Sequence, residues 1–239
     1  MPRRARIRFA GIPQLKTIVA SDMNPIPFEY QPENSNMCGA ASAVMILRAE
    51  NIPADQAEIW EALKQPGGEG ITAYGLTDYF LERNLLALAV LAKNPLALLD
   101  ACSATNIHVV LVCRPSPEAI HGHCMVLVGT DAINVTVHDP GLGPNRKIER
   151  NVLLDLCEPD REFLGPTLRI MILVASKDDQ SSPCTVCIHE RSTVKCIFSG
   201  CSFEIPLAFS TVIGCRTPSC SRSNVERVIC PKCGGQLMF

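Results

Sequence analysis

The sequence predicts an α+β fold, because helical segments dominate its first half and apolar strands joined by short turns follow, as in an antiparallel sheet. A further observation sets the last 56 residues apart. Eight of the thirteen cysteines crowd between Cys184 and Cys233, while Cys38, Cys102, Cys113, Cys124 and Cys157 are scattered over the first 183 residues. The expected organisation is an N-terminal extension (1–24), a main domain (25–176), a polar linker (177–183) and a cysteine-rich module (184–239).

The elements follow in order. NPIPFEYQPENSN is an extended approach to a helix, with Asn34, Ser35 and Asn36 as candidate caps. CGAASAVMILRAEN then has few breakers after Gly39, and its small side chains predict a helix packed tightly in a core. ADQAEIWEALK and TAYGLTDYFLERN predict two more helices, separated by a PGGEG turn. LLALAV and IHVVLVC read as strands on either side of a helix, NPLALLDACSA. HCMVLVGTDAINVTVHDP reads as two antiparallel strands turning near Asp131, the second ending at Asp139 and Pro140, and LRIMILVA closes the sheet.

Composition bounds the function. Hydrophobic residues make up 47% of the 239 residues and aromatic ones 5%, so the core is mostly aliphatic. A net charge of -2 argues against general polyanion binding, and the four arginines of MPRRARIR read as a solvated tail. No stretch of eighteen apolar residues predicts a spanning helix, and the amino terminus lacks a secretory pattern. The expected compartment is the cytoplasm, where clustered cysteines read as metal ligands rather than disulfides.

Four residues in the main domain suit covalent catalysis. Cys38 opens the first helix, where unpaired backbone N–H groups and the helix dipole favour a thiolate, and Gly39 permits close backbone approach by a substrate. His123 begins a strand from which it can face that thiolate as base, with His121 and His138 as rivals. Asp139 ends the next strand and can fix the imidazole tautomer, or can simply form a turn before Pro140. Gln31 can donate its amide to a developing oxyanion together with the Cys38 N–H.

The segments YQPENSNMCGAASAVMIL, GHCMVLVG and INVTVHDPG resemble the C39-like family of papain-fold cysteine peptidases, over roughly residues 25 to 175. The resemblance implies a papain-like fold with N-terminal helices packed on an antiparallel sheet. It implies Cys38 as nucleophile, His123 as base, Asp139 as its orienting group and Gln31 in the oxyanion hole. Members commonly place the glutamine six residues before the cysteine. Here the spacing is seven, so the loop must absorb an extra residue or Gln31 is displaced. The implied activity is peptide hydrolysis through a thioester acyl-enzyme. Acyl transfer from the same site and a catalytically silent binding scaffold are the alternatives.

The tail carries Cys184/Cys187, Cys196/Cys201, Cys215/Cys220 and Cys230/Cys233, four pairs spaced for tetrahedral thiolate sites, and is expected to hold two structural zinc ions. Cys184/Cys187 and Cys230/Cys233 resemble the two knuckles of a zinc ribbon. The preferred pairing therefore nests them around a second site made by the other two pairs, with sequential pairing as the rival. His189 is a lesser alternative ligand. Gly234 and Gly235 suit the tight turn after the last ligand. The expected partners are a peptide or protein substrate, and a protein docked on the zinc module. From Lys177 the tail has seven Lys/Arg against five Asp/Glu and no basic-aromatic stripe, which disfavours nucleic acid.

Overall fold

Small side chains let the first helix, α1 (Cys38–Ala49), run enclosed, and every residue from Gly39 to Leu47 is buried. The computed structural model describes residues 25–67, 70–105, 107–115, 122–157, 170–176, 193–207, 209–215 and 223–238. After α1 come α2 (Gln56–Leu63) and α3 (Ala73–Glu82), each with a capped N-terminus. Asp55 accepts from the Glu58 N–H and Thr72 from the Gly75 N–H, satisfying first-turn donors that the helix itself cannot.

The strands are β1 (Leu86–Ala92), β2 (His108–Cys113), β3 (His123–Thr130), β4 (Asn134–Asp139), β5 (Gly143–Glu149) and β6 (Ile170–Ala175), with α4 (Pro95–Ser103) and α5 (Arg150–Cys157) between them. Beyond Cys184 lie β7 (Thr193–Lys195), β8 (Glu204–Pro206), a single turn α6 (Ser210–Ile213), β9 (Val225–Ile229) and β10 (Gln236–Met238). One eight-stranded antiparallel sheet has the order β10-β9-β1-β6-β2-β3-β4-β5, and β7 and β8 form a separate hairpin.

Alternation along the strands divides the core. Ala87, Ala89, Val110, Val126, Ile172 and Val174 face α1, α2 and α3, whereas Leu88, Val90, Val109, Leu111, Met171 and Leu173 face α4, α5 and the tail. Both faces are covered, which is why LALAVLA and IMILVA are continuously apolar despite being antiparallel strands. The helices-then-sheet architecture is the one the sequence predicts.

Two elements of the main domain were not expected. β5, GPNRKIE, is a polar edge strand that buries only Gly143 and Ile148, and its Asn145 adopts a left-handed φ of 53°. α5 starts at the residue after β5 and buries Leu153, Leu156 and Cys157. The tail also packs more than its sequence suggested. β9 pairs with β1, extending the main sheet at the edge opposite β5, and Ile205, Leu207, Phe209, Val212, Ile213, Val228 and Leu237 join the core. The linker 177–183 lies outside the described residues. Among the described residues no helix is long and apolar enough to cross a membrane.

If the tail hairpin is part of the main sheet, damage to it must be felt at the helical face. Leu237→Ala, a buried position in β10, is expected to destabilise the fold by about 2–5 kcal/mol. Chemical denaturation followed by the fluorescence of Trp60, the single tryptophan, on α2 against the helical core, should report that loss as one lowered midpoint.

Candidate functional site

The loop 31–37 delivers Cys38 to the head of α1. The N-cap of α1 is Met37, whose side chain makes no capping bond, so none of Asn34, Ser35 and Asn36 occupies the N-cap position expected of them. Ser35 instead turns the loop: its N–H and hydroxyl both donate to the Pro32 carbonyl, and Asn34 takes a left-handed φ of 56°. That turn accommodates the extra residue between Gln31 and Cys38.

Asp139 is fully buried, and its carboxylate is surrounded by donors. Oδ1 lies 2.7 Å from His123 Nε2 and accepts from the N–H groups of Gly141 and Leu142, while Oδ2 accepts from Arg146 Nη1 at 2.8 Å. Asp139 therefore makes the turn beyond Pro140 and the contact to His123 at once. With Nε2 engaged by Asp139, Nδ1 is the ring nitrogen left to face Cys38. Gln31 stands beside them. Its N–H donates to the Pro140 carbonyl, and a Cβ placed on Gly141 would lie 3.6 Å from Asp139 Oδ1, 3.7 Å from His123 Cε1 and 3.9 Å from the Gln31 amide carbon. One Gln31 amide hydrogen goes to the Ser35 carbonyl at 3.0 Å, leaving the second for another acceptor.

The electrostatics separate Cys38 from its neighbours. A hydrogen bond from the Cys124 thiol opposes the cost of burial and, with the hydrogen bond and charge of His123, lowers the Cys38 thiol to about 4. Burial works against the His123 imidazolium, but its bonds to Asp139 and Cys38 prevail and raise it to about 9. Burial likewise opposes ionisation of Asp139, yet His123, the Gly141 N–H and Arg146 hold it below the usual carboxylate value. By contrast, burial alone pushes Cys102 up to about 12.

Cys38, His123, Asp139 and Gln31 are thus brought together. The rival His138 faces away, with Nε2 donating to the Ile26 carbonyl, Nδ1 accepting from the Asn145 N–H and the ring edge-on to Phe28. His121 lies outside the described residues. Gly39 serves a different purpose from the one expected. A Cβ there would meet Ile71 Cβ at 3.3 Å and Cys124 Sγ at 3.8 Å, so its close approach is to the protein's own core. Sequence reasoning missed Arg146, which lies on the unforeseen β5, and Cys124, whose proximity to Cys38 appears only once α1 is laid on β3.

A second cluster forms in the tail. The sulfurs of Cys196, Cys201, Cys230 and Cys233 lie within 4.8 Å of one another, a group able to hold a single structural metal ion. Tetrahedral thiolates at about 2.3 Å from zinc would stand about 3.8 Å apart. The Cys196–Cys233 and Cys201–Cys230 sulfurs are 3.6 and 3.7 Å apart, so the donors fit. This overturns the preferred nested pairing and its sequential rival, since Cys230 and Cys233 meet Cys196 and Cys201 rather than Cys184 and Cys187 or Cys215 and Cys220. The hairpin of β7 and β8, which brackets Cys196 and Cys201, stacks them on the 230–235 turn. Cys184, Cys187, Cys220 and His189 lie outside the described residues, and Cys215 is buried.

The turn itself is as expected. Gly234 has φ +72°, its N–H donates to the Cys230 carbonyl, and a Cβ on it would come within 2.9 Å of the Tyr74 ring of α3. Lys232 pairs with Asp78 of α3 at 2.7 Å, so the knuckle rests on the helical face of the main domain.

Comparison with solved structures places this architecture. The peptidase domain of Streptococcus ComA, a bi-functional ABC transporter involved in a quorum-sensing pathway, superposes with a TM-score of 0.51 at 16% identity, over 64% of this chain and 99% of that domain. A candidate C39-like peptidase from Bacillus anthracis superposes with a TM-score of 0.50 at 17% identity, over 65% of this chain and 96% of that one. No protein-family model matches the chain, and no curated protein matches it in sequence. The chain has the papain-like fold of C39-type peptidase domains, with a four-cysteine cluster added in its tail.

The cluster can be tested without an activity assay. Cys233→Ser, at the exposed member of the four, is expected to lower bound zinc by one ion per chain, read by plasma emission spectrometry. Cys102→Ser, at a buried thiol of α4 that is not one of the four, should leave the zinc content unchanged.

Proposed function

We propose that the protein is a cysteine peptidase acting through Cys38, His123 and Asp139. The observation that carries the reading is His123 Nε2 held at 2.7 Å by the buried Asp139 carboxylate; the lowering of the Cys38 thiol and the raising of the His123 imidazole support it. Cys38 attacks the scissile carbonyl as thiolate, and the tetrahedral oxyanion is met by the Cys38 N–H and the free amide hydrogen of Gln31. The imidazolium of His123 gives its proton to the leaving amine, which departs as the Cys38 thioester forms. Neutral His123 then takes a proton from water, and that water releases the acyl group and restores the thiolate. Asp139 holds the ring in the required tautomer throughout, with Arg146 and the Gly141 N–H holding Asp139 in turn.

The four clustered tail cysteines hold zinc in a closed coordination shell, so its role is structural. A second structural zinc ion in the tail belongs to the same proposal, and the module recruits a protein substrate or partner.

The direct experiment is mass-spectrometric product analysis with an unbiased peptide library. Cleavage by the wild type, and its loss by at least about 10⁴-fold in Cys38→Ala and His123→Ala, is the expected result. Cleavage that persists in Cys38→Ala would remove Cys38 as the nucleophile. Asp139→Asn should lower kcat/KM by roughly 10²–10⁴-fold through loss of the ring orientation.

The pH dependence follows from the same pair. The reactive thiolate–imidazolium form appears above the Cys38 transition at about 4 and disappears above the His123 transition at about 9, so kcat/KM should trace a bell between them. A profile with only an alkaline-rising limb near an ordinary thiol value would contradict the ion pair.

A further inference from the structure

We infer that Cys113 and Cys157 are a redox-active pair that closes to an intramolecular disulfide, stapling the end of β2 to the end of α5. No catalytic group takes part, so the inference stands apart from the proposed peptidase activity. The two sulfurs lie 3.1 Å apart, and about 1 Å of approach brings them to the about 2.05 Å of a bond. The backbones beside them are already clamped. The Arg114 N–H, next to Cys113, donates to the carbonyl of Leu156, next to Cys157, at 3.0 Å, and Arg114 Nη2 donates to the Asp155 carbonyl at 3.0 Å. Both carbonyls belong to the last turn of α5, whose terminal acceptors have no partner within the helix. The sulfurs therefore meet because the chain next to each is fixed to the other.

The pair differs from the thiols of the tail. Cys196–Cys233 and Cys201–Cys230 stand farther apart, at 3.6 and 3.7 Å, as ligands of one ion would. Among the described residues their cluster is the only group of three or more ligating side chains, so Cys113 and Cys157 make a two-thiol site rather than a metal site. Exchange with a low-molecular-weight disulfide such as oxidised glutathione balances the oxidation. The Cys157 thiolate attacks it, forming a mixed disulfide and expelling one glutathione thiolate; the Cys113 thiolate then attacks the Cys157 sulfur and expels the second. The two cysteines lose two electrons and two protons, and the two glutathiones gain them. Cys157, 3% exposed, opens the exchange, since Cys113 is fully buried and is held protonated by its contact with Cys157 and by burial. The bond closes a loop between residues 44 positions apart that contains His123, Asp139 and Arg146, and Cys113 is the register partner of His123. Closing that loop removes open conformations from the unfolded chain, so the oxidised form is the more stable one.

The test equilibrates the zinc-loaded full chain with reduced and oxidised glutathione over a range of ratios, in urea below the unfolding midpoint so that local opening admits the reagent. Linked peptides are assigned by mass spectrometry without reduction, and stability is read from the fluorescence of Trp60. A Cys113–Cys157 cross-link is expected, with an unfolding midpoint above that of the reduced chain. Cys157→Ala and Cys113→Ala should each lose both the cross-link and the gain in midpoint. Each variant is compared with its own reduced form, so any cost of the substitution itself does not enter. Recovery of the two cysteines as free thiols or glutathione adducts at the most oxidising ratio, or linkage of either one to another cysteine, would overturn the inference. So would a cross-link that lowers the midpoint, because the native fold would then not hold the pair ready to bond.

Discussion

A carboxylate removed from water is tolerable only when its charge is answered on every side, and Asp139 is answered by His123, Arg146 and two backbone N–H groups. Those partners come from β3, from β5 and from the turn that follows β4. The same turn receives the Gln31 N–H at the Pro140 carbonyl, which ties down the loop leading to Cys38. One buried anion therefore sets the mutual position of two strands, a turn and the approach to the first helix. Without it, His123 would have no fixed tautomer and Cys38 no fixed partner.

The cysteines illustrate how strongly surroundings govern one functional group. Cys102 is an inert thiol in an apolar core, and Cys113 and Cys157 sit with their sulfurs 3.1 Å apart in another part of it. Cys38, at the head of α1 beside His123 and Cys124, has its thiol lowered. In the tail, four thiols converge from a short hairpin and a knuckle, a donor set for a metal rather than a nucleophile. Composition records all of these as the same residue. Only the neighbours distinguish them.

The legible part of the molecule was the part in which local pattern and burial agree. α1 through α4, the strands β1 to β4 and β6, and the grouping of Cys38, His123, Asp139 and Gln31 follow from apolar runs, breakers and the order of the elements. β5 escaped because an edge strand that faces solvent has no apolar alternation to display, and Arg146 was lost with it. The cysteine pairing escaped because spacing within a pair limits which two sulfurs reach one ion but says nothing of which pairs meet; that depends on how the β7–β8 hairpin is laid against the knuckle. Gly39 was noticed for the right property and assigned the wrong neighbour, since a close approach by Ile71 and Cys124 is a tertiary event.

The sheet order has a consequence for synthesis on the ribosome. β1 is an interior strand, flanked by β6 on one side and by β9 on the other, yet residues 225–229 are translated long after 86–92. Throughout that interval one hydrogen-bonding edge of LALAVLA has no native partner, and it is an uncharged apolar segment of the kind that recruits foreign strands. The nascent chain must therefore be shielded from its neighbours until the knuckle region emerges, and a chain stopped short of β9 would keep a sticky border for as long as it lasted.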